Sequence, residues 1–181
     1  MRIIGGSLRG RKLRFPDCPG LRPTADRVRE TLFNWVQADV VGAHCLDAFA
    51  GSGALGFEAF SRGADAVTMV EKQPRVAASL RQALTELDDS EVIRIIEQPV
   101  EQFLATDPQR YDLVFLDPPF GTDLYTQSLA LLATGASLRP GAKIYIECAR
   151  HADVLTAIPT SWQLLREKTA GQVEYRLFQA P

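Results

Sequence analysis

From residue 44 onward, short apolar runs alternate with longer amphipathic stretches. The runs at 44–49 (HCLDAF), 66–71 (AVTMVE), 92–97 (VIRIIE), 111–117 (YDLVFLD) and 142–148 (AKIYIEC) have the length of buried strands, with flanking polar or turn residues. Stretches near 53–62, 74–87, 100–106 and 124–133 have helical length. In the second of these, Val76, Leu80, Leu84 and Leu87 recur at steps of four, four and three, which puts them on one helix face. This alternation predicts an α/β chain with a mostly parallel sheet covered by helices.

The two ends depart from that pattern. Near the C-terminus, 162–169 and 173–179 read as strands joined only by Ala170-Gly171-Gln172, and so short a link demands an antiparallel hairpin. Near the N-terminus, short strands are expected around 3–4 and 12–15, separated by glycines, followed by a helix. Thr24 is its expected N-cap, Asp26 lies in its first turn, and Val28, Leu32, Phe33 and Val36 form its apolar stripe. The chain therefore divides into a basic hairpin-and-helix extension over 1–40 and a main domain over 41–181, with no repeats, low-complexity tracts or linkers. Seven strands ending in an antiparallel hairpin fit the Rossmann-like class I methyltransferase fold better than a dehydrogenase, which normally builds a second, fully parallel half.

Charge sharpens this division. Residues 1–30 carry eight Arg or Lys against three acids, a net of +5, and the remainder carries −7, although the whole chain is only −2. A basic arm on an acidic body points to a polyanionic partner, since neutralising phosphates releases counterions; a solvated charged surface is the plain alternative. Cys18, Cys45 and Cys148 match neither a disulfide framework nor a zinc pattern. With no leader-like segment and no apolar run of membrane-spanning length, a cytoplasmic protein, expected to be a monomer, is the reading.

The stretch L-D-A-F-A-G-S-G-A-L-G at 46–56 carries Gly51, Gly53 and Gly56 in the G-x-G-x-x-G spacing of a nucleotide-binding turn, with Phe49, Ala50 and Ser52 completing it. Asp47 repels a pyrophosphate but attracts the ammonium of S-adenosylmethionine; a buried Asp satisfied by amides is the alternative. Glu71, followed by Lys72, suits ribose hydroxyls in either cofactor class. Gln98 and the Val100 N–H are candidates to read adenine. Asp117-Pro118-Pro119-Phe120 follows the strand at 111–117. Its prolines remove two N–H donors, which leaves an acceptor corner: the Asp117 carboxylate and Pro118 carbonyl can each take a hydrogen from an exocyclic amine. Phe120 can stack on the base, worth about 1–3 kcal/mol. A rigid turn with Phe120 in the core is the plainer alternative. His44, His151, Trp35 and Trp162 read as structural, and Lys168 as facing RNA or solvent.

R-I-I-G-G-x-x-R-G-R-K-L at 2–13, R-P-T-x-D-R-V-R-E-T-L-F-N at 22–34, the glycine stretch, D-P-P-F, and E-K-x-A-G-Q-V-x-Y-R-L at 167–177 together resemble the bacterial 16S rRNA guanine-N2 methyltransferase family. The glycine stretch and D-P-P-F indicate only an amino-methyltransferase; the N-terminal motifs make the likeness specific. It implies S-adenosylmethionine as cofactor, S-adenosylhomocysteine as product, no metal, and 16S rRNA in a small-subunit assembly particle as partner. Arg9, Arg11, Lys12, Arg22 and Arg27 are the expected RNA contacts. Pro99 stands where such enzymes often carry an acid, which leaves the adenine contacts open. A DNA adenine-N6 methyltransferase, an NAD-dependent oxidoreductase and a non-catalytic RNA-binding assembly factor remain as alternatives.

Overall fold

A computed structural model describes residues 1–13, 25–87, 91–119, 122–150, 152 and 155–181. The chain runs α1 (Asp26–Trp35), β1 (His44–Asp47), α2 (Ala54–Ser61), β2 (Ala66–Val70), α3 (Pro74–Thr85), β3 (Ile93–Ile96), α4 (Val100–Thr106), β4 (Tyr111–Leu116), α5 (Leu124–Thr134), β5 (Leu138–Ala149), a 3-10 turn (Leu155–Ala157), β6 (Gln163–Ala170) and β7 (Val173–Gln179). The seven strands form one sheet in the order β3-β2-β1-β4-β5-β7-β6. All pairs are parallel except β5 with β7 and β6 with β7. The expected architecture is present, including the terminal hairpin, whose loop is Gly171-Gln172.

Strand alternation splits the core between the two faces of the sheet. Cys45, Met69, Phe115 and Tyr145 pack with α1, α2 and α3 on one face. Leu46, Leu116, Ile144 and Phe178 pack with α4 and α5 on the other. Trp162 joins the second cluster, and Trp35 lies against Tyr175 with ring centroids 5.3 Å apart, so both tryptophans are structural as expected.

Two boundaries differ from the sequence expectation. β5 begins at Leu138 rather than 142, because Pro140-Gly141 lies in an irregularity and does not end the strand. Tyr111 pairs with Leu138 but Leu113 with Lys143, so β5 takes five steps where β4 takes two. Thr24 lies outside the described residues, and α1 starts after Ala25 without a side-chain cap. The expected stripe is buried: Val28, Leu32 and Phe33 within the helix, and Val36 just beyond it.

The N-terminal residues form a hairpin with one bridge, Arg2 to Lys12, flanked by Ile3 N–H to Arg11 O and Leu13 N–H to Met1 O, both 2.9 Å. Ile3 and Leu13 belong to the same apolar cluster as the sheet. The hairpin is seated by Glu58, an acid in the otherwise apolar α2. Its carboxylate accepts the Ile4 and Gly5 amides at 2.9 and 2.8 Å and Arg62 Nε at 2.8 Å. Arg29, fully buried on α1, approaches the same carboxylate at 3.7 Å and donates to the Arg2 carbonyl at 2.6 Å and to Asp26 at 2.9 Å. Gly6 has φ 75°, and a Cβ there would stand 1.7 Å from the Ser61 carbonyl oxygen, so only glycine permits this contact.

Removing Glu58 leaves the buried Arg29 guanidinium with only the exposed Asp26 as countercharge and the Ile4 and Gly5 amides without their acceptor. Glu58→Ala is expected to cost about 3–5 kcal/mol in urea unfolding. Arg62→Ala, at the rim of the same group, is expected to cost distinctly less. Equal losses would remove Glu58 from its place as the anchor.

Candidate active site

The connections leave β1 in two directions: α2, β2, α3 and β3 build one side of the sheet, then β4 returns to the other flank of β1. The carboxyl ends of β1 and β4 therefore border a topological switch point, where open α/β sheets bind ligands. Asp47 ends β1 beside Met69 and Phe115. Glu71 lies two residues after Met69, Asp117 two after Phe115, and Glu147 two after Tyr145. Alternation thus directs four acids to the α1–α3 face at the ends of β2, β1, β4 and β5.

Two of these acids hold the glycine turn. Asp47 Oδ2 accepts the Gly56 N–H at 2.9 Å; Glu71 Oε2 accepts the Gly51 N–H at 3.1 Å, and its Oε1 accepts the Gln73 N–H at 2.7 Å. The turn is also fixed to the sheet by Ala48 N–H to Phe115 O at 3.1 Å and Ala50 N–H to Val70 O at 2.9 Å. Gly53 has φ 73°, and a Cβ there would meet the Phe57 ring at 2.6 Å. A Cβ on Gly56 would meet Met69 Cε at 2.3 Å, so this glycine admits close packing of α2 on β2.

These bonds change the electrostatic character of the turn. Amides that receive phosphate in a dinucleotide grip are here occupied by carboxylates, and a pyrophosphate would meet two negative charges. Asp47 is 2% exposed, and burial raises its pKa from the ordinary 3.8 to about 7. The Gly56 and Phe49 amides oppose that rise and the charge of Glu71 adds to it. The plainer of the two sequence readings of Asp47 is present: it is a buried acid bonded to an amide. Ala50 and Ser52 are buried, Phe49 is half-buried against the second apolar cluster, and Lys72 is exposed. Val100 is buried as the first residue of α4, after Pro99 as N-cap.

At the end of β4, Asp117 is half-buried, Pro118 buried and Pro119 exposed; Phe120 lies outside the described residues. The Pro118 carbonyl lies 3.5 Å from the Tyr125 hydroxyl, which also donates to the Glu147 carbonyl. The Pro119 carbonyl accepts from Thr122 at 2.8 Å. Burial raises the Tyr125 pKa, and the charges of Asp117, Cys148 and Glu147 add to it, so the hydroxyl stays protonated. Sequence reasoning missed Tyr125 and Glu147. The signal for Glu147 was an acid inside the otherwise apolar run I-Y-I-E-C, one residue past Ile146, which pairs with Leu116 just as Asp117 follows Leu116.

The basic residues separate. Arg9, Lys12 and Arg27 are exposed, and Arg22 is outside the described residues, as is His151. Arg11 donates to the Glu86 carbonyl at the C-terminal end of α3, and the hairpin tip bonds Ser61 at the C-terminal end of α2. Those helix ends lead back to the amino ends of the strands, so the tip is remote from Asp117. Two surface depressions lie elsewhere. One of ≈ 260 Å³ sits among Asp39, Asp112, Arg139 and Lys143 at the amino ends, and one of ≈ 390 Å³ lies on the β6–β7 hairpin around Arg176. Arg139 and Lys143 in the first are paired with Asp112 and Asp39, and Arg176 in the second with Glu174, so the strand ends remain the stronger candidate.

Comparison with known proteins agrees with this geometry. The family model described as Conserved hypothetical protein 95 matches residues 1–179. Ribosomal RNA small subunit methyltransferase D of Escherichia coli (strain K12) is 48% identical over 179 residues, covering 99% of this chain and 89% of that protein. The solved structure of yhhF from Escherichia coli superposes with a TM-score of 0.89 at 46% identity, covering 99% of this chain and 97% of that one. The fold also recurs in SMU.776, solved with SAH, at a TM-score of 0.69 and 18% identity over 89% of this chain and 50% of that one. The chain belongs to the family described as Conserved hypothetical protein 95, together with the ribosomal RNA small subunit methyltransferase D proteins.

Proposed function

We propose that this chain transfers a methyl group from S-adenosylmethionine to the exocyclic N2 of a guanine in 16S rRNA, in a small-subunit assembly particle. The observation that carries the reading is the pair Asp47 and Asp117, carboxylates at the ends of the two strands that border the switch point. Asp47 takes the ammonium of the methionine part, and the backbone of Phe49, Ala50, Gly51, Ser52 and Gly53 lies along it. Glu71 retains lone pairs for the ribose hydroxyls after its two amide bonds. Lys72 and Val100 border the nucleoside. Membership in a family whose relatives are named rRNA methyltransferases supports the acceptor class.

The N2 lone pair of guanine is delocalised into the ring and is a poor nucleophile. Hydrogen bonds to Asp117 and the Pro118 carbonyl favour a pyramidal nitrogen whose lone pair points at the methyl carbon, with Pro119 stiffening the corner and Phe120 stacking on the base. Held at about 3–3.5 Å, nitrogen and carbon react in line. The N–C bond forms as the S–C bond breaks, the sulfonium becomes the neutral thioether S-adenosylhomocysteine, and the cationic nitrogen then gives a proton to Asp117 or water. Residues 1–40 face the RNA through Arg9, Arg11, Lys12, Arg22 and Arg27.

Incubation with labelled methyl donor and unmodified small-subunit particles is expected to label N2 of one guanine, as mapped by nuclease digestion and mass spectrometry. Label on another base, or none, overturns the reading. Asp117→Ala is expected to lower kcat by about 100-fold or more.

Asp47 imposes a pH dependence with a definite sign. Its raised pKa means that the ligand-free fold keeps the proton to higher pH than the unfolded chain, so ionisation removes stability as pH rises from about 4 to about 7. A bound ammonium reverses that preference. Cofactor affinity is therefore expected to rise between pH 6 and 8, with proton release on binding below pH 7, read by calorimetry in buffers of different ionisation enthalpy. Asp47→Asn keeps an acceptor for Gly56. It should bind weakly with a flat pH profile and, without ligand, unfold at no lower temperature than the parent at pH 8.

For the RNA contacts, Arg9→Gln with Arg27→Gln is expected to weaken binding to the particle and lower the slope of log affinity against log salt by about 1 per residue. An unchanged slope removes both from the interface.

A further inference from the structure

Leu116 and Ile146 are paired in parallel register; Asp117 directly follows β4 and Glu147 is the next residue of β5. Their side chains share the face that carries Phe115 and Tyr145, on strands about 4.8 Å apart. Glu147 is only 6% exposed. Its Oε2 accepts the hydroxyl of Tyr145, itself fully buried, at 2.8 Å. Its backbone carbonyl accepts from Tyr125, the same hydroxyl that reaches the Pro118 carbonyl. One tyrosine thus orients the carboxylate, and another ties its strand to the D-P-P corner.

Burying a carboxylate costs several kcal/mol. A glutamine accepts the same Tyr145 hydrogen bond, but its amide nitrogen is a donor. What a carboxylate adds is a preference for a donor edge. The D-P-P corner alone accepts the amino group of guanine, adenine or cytosine. Beside its amino group, guanine presents a second donor, N1–H, whereas adenine presents the N1 lone pair and cytosine the N3 lone pair. A second fixed carboxylate at this corner is attractive to the first and repulsive to the other two, which gives discrimination through repulsion as well as attraction.

We propose that Glu147 selects guanine, its carboxylate accepting the N1–H of the base whose N2 is held by Asp117 and Pro118. This rests on the guanine-N2 reading above. Tyr145 is the positioning residue for that carboxylate.

The test uses 2-aminopurine, which keeps the 2-amino group and carries a lone pair at N1. Small-subunit particles are reconstituted with 16S rRNA carrying guanine or 2-aminopurine at the mapped position, and kcat/KM is measured on each. The unsubstituted protein is expected to favour guanine strongly. Glu147→Gln is expected to lose about tenfold to 100-fold on guanine and to narrow the guanine to 2-aminopurine ratio by at least tenfold, because its amide can donate to N1. Its S-adenosylmethionine affinity by calorimetry should stay unchanged. Tyr145→Phe, which keeps the carboxylate, is expected to narrow the ratio to a smaller degree. Comparing ratios cancels the effect of the missing O6 of 2-aminopurine.

An unchanged ratio, with both substrates falling together or neither changing, overturns the proposal, as does a loss confined to cofactor affinity. If Glu147→Gln fails to fold, the ratio in Tyr145→Phe decides in the same way. Methylation of guanine N2 with a ratio insensitive to both variants sinks this inference alone; absence of N2 methylation by the parent protein sinks the functional reading on which it rests.

Discussion

The fold turns on a pair of hydrogen bonds from backbone amides to carboxylates: Gly56 to Asp47 and Gly51 to Glu71. They fix the turn between β1 and α2, and with it the helix that packs beneath the N-terminal hairpin. They also decide what the turn can hold. A glycine turn with open amides is a site for anions. With these two amides facing acids it becomes a site for a cation or for hydroxyl donors, although the backbone path is the same. The cost is visible at Asp47, which burial brings close to neutrality near pH 7. Strain of this kind belongs at a site completed by its ligand.

A second charge holds the extension. Glu58 accepts two hairpin amides and lies against Arg29 and Arg62, so α1, α2 and the first residues share one buried ionic group. Such a group contributes less to net stability than to register, since its desolvation offsets much of its attraction. It fixes where the extension sits on the sheet. The same apolar cluster includes Ile3 and Leu13, so hairpin and sheet pack together.

Much of this was legible in the sequence. Runs of four to six apolar residues between helix-length stretches gave the strand order its raw material, and the short link at Gly171 made the antiparallel end unavoidable. Pro140-Gly141 hid the start of β5 because a bulge and a turn use the same residues. The charge count does not separate the basic residues: Arg29 is buried among acids, whereas Arg11 is exposed and also donates to the Glu86 carbonyl at the end of α3. Composition weighs every arginine alike, whereas burial and partners do not. Asp47, Glu71 and Asp117 were singled out because each stands at or just past a strand end beside a turn motif. Glu147 was missed because β5 continues to Ala149, two residues beyond it, which makes the acid look internal until its register with β4 is known.

An acidic floor is at first sight unsuited to a nucleic-acid enzyme. The difficulty dissolves when backbone and base are treated apart. Phosphates require cations, and the exposed cations Arg9, Lys12 and Arg27 lie on the N-terminal extension rather than at the strand ends. A base turned out of its stack presents no phosphate, only its edge, and an amino-bearing edge is met by acceptors. Acids along the carboxyl ends of β1, β4 and β5 repel a duplex approaching as a rigid rod; on the proposed reading Asp47 meets the cofactor's ammonium, and Asp117 and Glu147 meet a single unstacked base with donors at its edge. On the proposed reading, the separation of charge along the chain, +5 in the first 30 residues and −7 in the rest, is a division of labour: the extension would engage the strand while the sheet would admit only the base.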